Sequence, residues 1–290
     1  MAATQDLRIL MLGLPESGKT TFLAALWHRL NDPSAPSRLQ LQALGKGDRS
    51  YLNHIADAWS RHEQVVRTPR NVQHKVEIYL KNGGERHGGT FVLEIPDLSG
   101  ESFEEHLETR SWTTGYAELV ERCRGLILFI HPDSAVQPHR IAEADEILGE
   151  LEGSGVGDDV DPADLGGIEP PLPTAVALIE LLQFHDAKRP GLPVAIAVSA
   201  WDLLEDIGES PEQFLEKRLP LLHQYLTVAS ATRPFTVFGV SAQGGDYETD
   251  REILVELNPE QRTRIRASSE QGNDLTLLIA WMAEQLMDWE

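Results

Sequence analysis

The chain has 290 residues, 41% hydrophobic and 24% charged, enough for one enlarged α/β domain or two small ones with a real core. A formal net charge of −21 repels nucleic-acid phosphates and anionic lipid, so neither nucleic acid nor a membrane surface is expected as a partner. The single cysteine, Cys123, rules out an internal disulfide framework and fits a reducing compartment. No basic-then-apolar leader opens the chain, and no run approaches the ~18 apolar residues of a membrane helix. A soluble, cytoplasmic protein is expected.

A short apolar run predicts a strand over 7–12, followed by a glycine-containing loop. Phe22, Leu23, Leu26, Trp27 and Leu30 recur at helical spacing and predict a helix over 20–30, ended by the Pro/Ser-rich stretch 31–37. Tyr51, Ile55, Ala58 and Trp59 predict a second helix over 48–62. Val72, His74, Val76, Ile78 and Leu80 alternate as a half-buried strand does, and 90–95 is a further strand. The turn-rich stretch between them is too short for a crossover helix, so the two are expected to pair antiparallel.

Buried strands are read at 125–131, 192–199 and 235–240. Helices are read at 141–151, 174–188, 211–228 and 275–289, with a long loop over 153–173. Strands alternating with helices imply a mostly parallel sheet covered on both faces.

Gly13, Gly18, Lys19 and Thr20 fit the pattern Gly-x4-Gly-Lys-Ser/Thr, directly after a predicted strand and opening a predicted helix. In such a loop, backbone N–H groups and the positive end of the helix dipole surround phosphate. The loop residues Glu16, Ser17, Gly18, Lys19, Thr20 and Thr21 are therefore candidates for phosphate contact. Lys19 would neutralise the β- and γ-phosphates, and the Thr20 hydroxyl is a hard oxygen ligand suited to Mg²⁺.

From these residues onward the sequence resembles the Ras-like, translation-factor-related class of P-loop GTPases, as a divergent prokaryotic-type member. Asp97 and Gly100 match the family's Asp-x-x-Gly, and Asp202 in Ser199-Ala200-Trp201-Asp202 stands at its base-reading aspartate. Ser241-Ala242-Gln243 looks like its Ser-Ala-Lys. The resemblance implies an α/β fold: a three-layer G domain with a mostly parallel six-stranded sheet and one antiparallel edge strand. It implies one domain over 1–290, with insertions at about 33–67 (carrying its own helix), 133–173 and 244–271.

The same resemblance implies GTP or GDP and Mg²⁺ as ligands, with the metal held by Thr20, Thr68 and, through water, Asp97. The Gly100 N–H would sense the γ-phosphate, and Asp202 would accept from the guanine N1 and N2 groups. A backbone N–H at the Ala242 position would meet guanine O6. The family's base-covering lysine is replaced by Ala200; Trp201 either covers the base instead or is simply packed. Thr68 is the candidate switch threonine. Residues 46–87 hold eight Lys/Arg against five Asp/Glu, a local positive excess that could draw phosphates, and Arg67 or Arg70 could reach the site.

Two departures from the family's pattern bear on hydrolysis. Glu101 stands where relatives place a water-orienting glutamine, and Pro15 stands where room for an arginine finger is needed. With Lys19, Glu101, Thr68 and Gly100 as the catalytic set, a Mg²⁺-dependent GTP switch with slow hydrolysis is expected. It would act through a protein effector or complex, with homodimerisation left open. The alternatives are a GTP-binding scaffold without significant hydrolysis and a regulatory ATPase.

Overall fold

The computed structural model describes residues 7–64, 76–82, 90–96, 109, 111–133, 172–268 and 270–287. The strand β1 (Leu7–Gly13) leads into the helix α1 (Lys19–Asn31), as the apolar spacing predicts. A short strand β2 (Leu39–Leu44) then precedes α2 (Arg49–Ser60), which Asp48 caps by accepting from the Ser50 N–H. The strands β3 (Val76–Asn82) and β4 (Thr90–Ile95) pair antiparallel, with Glu77 opposite Glu94. This is the hairpin read from the alternation; its first positions, 72–75, lie outside the described residues.

The helix α3 (Thr114–Arg122) runs straight into β5 (Cys123–Ile130). Next come α4 (Thr174–Asp186), β6 (Val194–Ser199) and a 3₁₀ segment (Trp201–Ile207). Two helices follow, α5 (Pro211–Arg218) and α6 (Pro220–Ala229), where a single helix over 211–228 is expected. Pro220 lacks the N–H that would continue the ladder, and Leu219 leaves helical geometry at ψ 57°. The chain ends its described part with β7 (Phe235–Ser241), α7 (Arg251–Glu256), α8 (Pro259–Arg262), β8 (Arg264–Arg266), β9 (Gln271–Gly272) and α9 (Leu277–Met287). The expected helix 141–151 and loop 153–173 lie outside the described residues.

The described strands form one mixed sheet in the order β2-β3-β4-β1-β5-β6-β7-β8-β9. Its centre, β4-β1-β5-β6-β7, is parallel throughout. The six-stranded sheet with one antiparallel edge is thus corrected to nine strands, antiparallel at both flanks. The strand β2 covers the edge that β3 would expose, and the β8–β9 hairpin covers β7. Covering open backbone edges is what such additions achieve physically.

Helices lie on both faces. On one, α1, α2 and α9 bury Phe22, Trp27, Trp59 and Met282 over the sheet, with the Phe22 and Phe129 rings 5.0 Å apart. On the other, α3, α4, α5 and α6 bury Tyr116, Leu178, Phe214 and Leu226. Each such side chain contributes about 2 kcal/mol of transfer free energy. Cys123 is 1% exposed and belongs to this second core; burial pushes its thiol up to about 12, so it packs rather than reacts.

Across β1, β4 and β3 runs a buried ion cluster. The Arg8 guanidinium lies 3.3 Å from Glu94 and 3.8 Å from Glu77, whose carboxylates face each other across the hairpin. Arg122 reaches Glu94 from α3 at 3.6 Å. Removing a buried charge's partner costs far more than an exposed pair is worth. Arg8→Met is expected to lower unfolding free energy by about 2–3 kcal/mol in urea titration, and adding Glu94→Gln should recover part of that loss.

Candidate functional site

Five parallel strand ends, Gly13, Ile95, Ile130, Ser199 and Ser241, open on the same edge of the sheet. Crevices beyond the carboxyl ends of parallel strands are where open α/β sheets bind ligands. Here the crevice is floored by the loop 13–18. A Cβ on Gly13 would sit 2.5 Å from Ser17 Oγ and 2.8 Å from the Phe129 carbonyl. A Cβ on Gly18 would sit 2.9 Å from Ser199, and its φ of +83° is left-handed. Glycine is therefore required at both positions for the loop to lie this close to β5 and β6.

Gly18 is the N-cap of α1 and brings no side chain to its first turn, which also contains no acidic residue. The first N–H groups of the helix thus keep donors and dipole for an anion. Ser17 is buried, while Pro15 and Glu16 are exposed at the outer turn, Glu16 with φ +59°. Lys19 Nζ donates to the carbonyls of Gly13 (2.6 Å) and Leu14 (2.8 Å) and to Ser17 Oγ (3.0 Å). Burial lowers its ammonium to about 8. Thr20 and Thr21 are half-buried on the first turn beside it.

At the end of β6, Ser199 Oγ donates to the Ile130 carbonyl at 3.3 Å. Ala200 then takes a left-handed φ of +45°, which costs a non-glycine residue about 1–2 kcal/mol. Beyond this twist the next two side chains part. Trp201 is 2% exposed and enters the core: a Cβ on Gly239 would meet its ring at 2.3 Å, and Phe214 packs edge-on at 6.1 Å. Its ring is spent on packing and does not cover a base, which decides between the two expectations for it. Asp202 opens the 3₁₀ segment, and its Oδ1 is buried with no hydrogen-bond partner among the described residues.

At the end of β7, Ser241 is fully buried, and its Oγ also has no partner among the described residues. The Ala242 carbonyl accepts from Trp59 Nε1 at 2.8 Å, and Gln243 Nε2 donates to the Gly245 carbonyl at 2.9 Å. These contacts from α2 and the 244–262 segment were not foreseen; Trp59 stood out only as part of an apolar helix face. Thr68, Asp97, Gly100, Glu101, Arg67 and Arg70 lie outside the described residues. Among the described residues no cluster of three or more His, Cys, Asp or Glu could hold a metal. No helix among them is long and apolar enough to cross a membrane.

A family model, Double-GTPase 1, matches residues 10–282, nearly the whole chain and every element around this crevice. The chain belongs to the Double-GTPase 1 family. It is a P-loop GTPase-family protein, a GTP-binding switch whose ligand is guanine nucleotide. No curated protein matches it. Among solved structures it is similar to the signal recognition particle receptor SRb-GTP/SRX complex from Chaetomium thermophilum. That match has 13% identity and a TM-score of 0.38, covering 87% of this chain and 97% of the other. It is also similar to Methanosarcina barkeri Roco2 RocCORdC bound to GDP, at 14% identity and a TM-score of 0.36. That match covers 91% of this chain and 53% of the Roco chain, about half its length. At these scores the assignment rests on the family model.

The position of Lys19 has a consequence for stability. An unfolded lysine holds its proton up to about 10.5, whereas the folded Lys19 releases it near 8. Between those values the unfolded chain binds more protons, so this group adds stability as pH rises. In nucleotide-free protein, the unfolding free energy of wild type minus that of Lys19→Met should therefore grow from about pH 8 to about pH 10. A flat difference curve would show that Lys19 is not desolvated in the loop.

Proposed function

We propose that this GTP-binding switch is Mg²⁺-dependent and hydrolyses GTP slowly, within the Ras-like, translation-factor-related class. The reading is carried by one observation: a glycine-tight phosphate loop and the orphaned Asp202 carboxylate open on one edge of one parallel sheet. The strand order β3-β4-β1-β5-β6-β7, with β3 antiparallel, supports the class. We read 1–290 as a single G domain with insertions at about 33–67, 133–173 and 244–271.

In this mechanism the N–H groups of the loop and of the first turn of α1 receive the β-phosphate. Lys19 exchanges two neutral carbonyls for anionic β- and γ-oxygens while keeping its place in the loop. Thr20, with Thr68 and Asp97, would hold Mg²⁺, which supplies charge neutralisation between the β- and γ-phosphates. Asp202 accepts from guanine N1 and N2, donors that the adenine edge does not offer as a pair. The main chain of Ser241, Ala242 and Gln243 faces guanine O6, and Gly100 senses the γ-phosphate.

Glu101 is the residue beside the attacking water, where a carboxylate positions water while standing near a negative phosphate; this supports slow turnover. Pro15, exposed on the loop, supports the same expectation by narrowing the approach of an arginine finger. We place the protein in a reducing cytoplasm, acting through an effector or as a homodimer.

Calorimetric titration of nucleotide-free protein with GTP, GDP and ATP in Mg²⁺ tests this reading. GTP and GDP are expected to bind, Lys19→Ala to lose both, and Asp202→Ala to lose about ten- to hundredfold in guanine affinity. ATP binding as tight as GTP binding would remove Asp202 as a base reader. Phosphate release then separates a slow GTPase from a scaffold that binds GTP without hydrolysis.

A further inference from the structure

The turn that ends β7 is held from behind by residues that no nucleotide could touch. Trp59, on α2, is 1% exposed, and its indole N–H donates to the Ala242 carbonyl at 2.8 Å. Arg262, at the end of α8, is also 1% exposed and stacks on the Trp59 ring, its guanidinium carbon 4.1 Å from the ring centroid. The same guanidinium donates to the Trp59 carbonyl (3.0 Å), the Tyr247 hydroxyl (2.7 Å) and, at 3.4 Å, the Gln243 carbonyl. Gly244 is left-handed at φ +89°, and a Cβ there would meet the Arg262 backbone at 2.7 Å. Two successive carbonyls of the turn, at 242 and 243, are thus tied to a buried cation–π stack.

A peptide unit is planar and trans, so a fixed carbonyl fixes the opposite direction of the N–H in the same plane. Tying the 242 and 243 carbonyls to Trp59 and Arg262 therefore aims the neighbouring amide donors away from α2 and α8. A buried arginine costs free energy unless its donors are used; here the prominent acceptors are backbone groups of the turn and its neighbours. That is a heavy investment for a surface loop whose own side chains are small.

We propose that Trp59 and Arg262 are positioning residues for base recognition, setting the main-chain donors of Ser241–Gln243 to receive guanine O6. The inference rests on the reading of that turn as the O6 site. Neither residue touches the base; both act through the peptide planes of the turn. Because α2 lies in the segment that leads toward Thr68, the selectivity of the site is built partly from an insertion rather than from the common core.

The test uses a base that lacks only the O6 atom. Affinities for GDP and for 2-aminopurine riboside diphosphate are measured by calorimetry on the full chain, for wild type, Trp59→Phe and Tyr247→Phe. Trp59→Phe keeps the ring under Arg262 but removes the donor to Ala242; Tyr247→Phe is a milder change that removes one acceptor of Arg262. Wild type should prefer GDP, and Trp59→Phe should lose about fivefold of that preference, the net worth of one hydrogen bond. Tyr247→Phe should lose less in the same direction, with affinity for the O6-lacking analogue unchanged in both. A merely structural role would weaken both ligands alike and leave the ratio intact, which overturns the proposal. Equal binding of the two ligands by wild type would remove the O6 site itself and the proposal with it.

Discussion

How closely the end of β1 can approach β5 and β6 decides everything else at the nucleotide edge of the sheet. Gly13 and Gly18 leave no room for a Cβ against Ser17, Phe129 and Ser199. That contact draws the first turn of α1 into the crevice with its N–H groups directed outward. It also leaves Lys19 beneath the loop, bonded to Gly13 and Leu14. A cation already desolvated and already ordered loses little further freedom when its acceptors change from carbonyl to phosphate oxygens. The loop is thus pre-organised for charge, at a cost borne by the folded protein.

The second half of the site is built on the same economy. Ala200 accepts an unfavourable backbone conformation so that Trp201 can seal the core against Gly239 while Asp202 stays at the crevice. A buried carboxylate oxygen without a protein partner is expensive, and guanine donors would relieve that cost. The insertions that flank this core are structural partners of the site. One supplies β2, which covers β3, and α2, whose Trp59 holds the turn after β7. The other supplies β8 and β9, which cover β7, and Arg262.

Much of this was legible before any coordinates. The phosphate loop follows from residue types at fixed spacing, α1 from a helical apolar period, and the β3–β4 hairpin from alternation with too short a connection for a crossover. The flanking strands were less so. In β2 only Leu39 is buried, so the burial contrast that marks a strand is weak, and its pairing depends on the open edge of β3. The pair β8 and β9 spans three and two residues, below the length at which a period exists. The helix α3 hides Tyr116, Leu119 and Val120 among charged neighbours. The break at Pro220 was readable, since proline cannot continue a helix ladder. That Trp201 is buried could not be read, because the space for its ring is made by Gly239, a glycine on another strand.

The most direct test of this account is the side-chain pKa of Lys19, followed by NMR of ¹³C-labelled lysine in nucleotide-free and GDP-bound protein. Held by neutral carbonyls in a desolvated loop, the ammonium should titrate near 8 without nucleotide. Paired with phosphate oxygens, it should rise above about 10 once GDP is bound. A pKa that stays the same at saturating GDP would mean that Lys19 does not transfer to the phosphates, and the loop 13–20 would not be the nucleotide site.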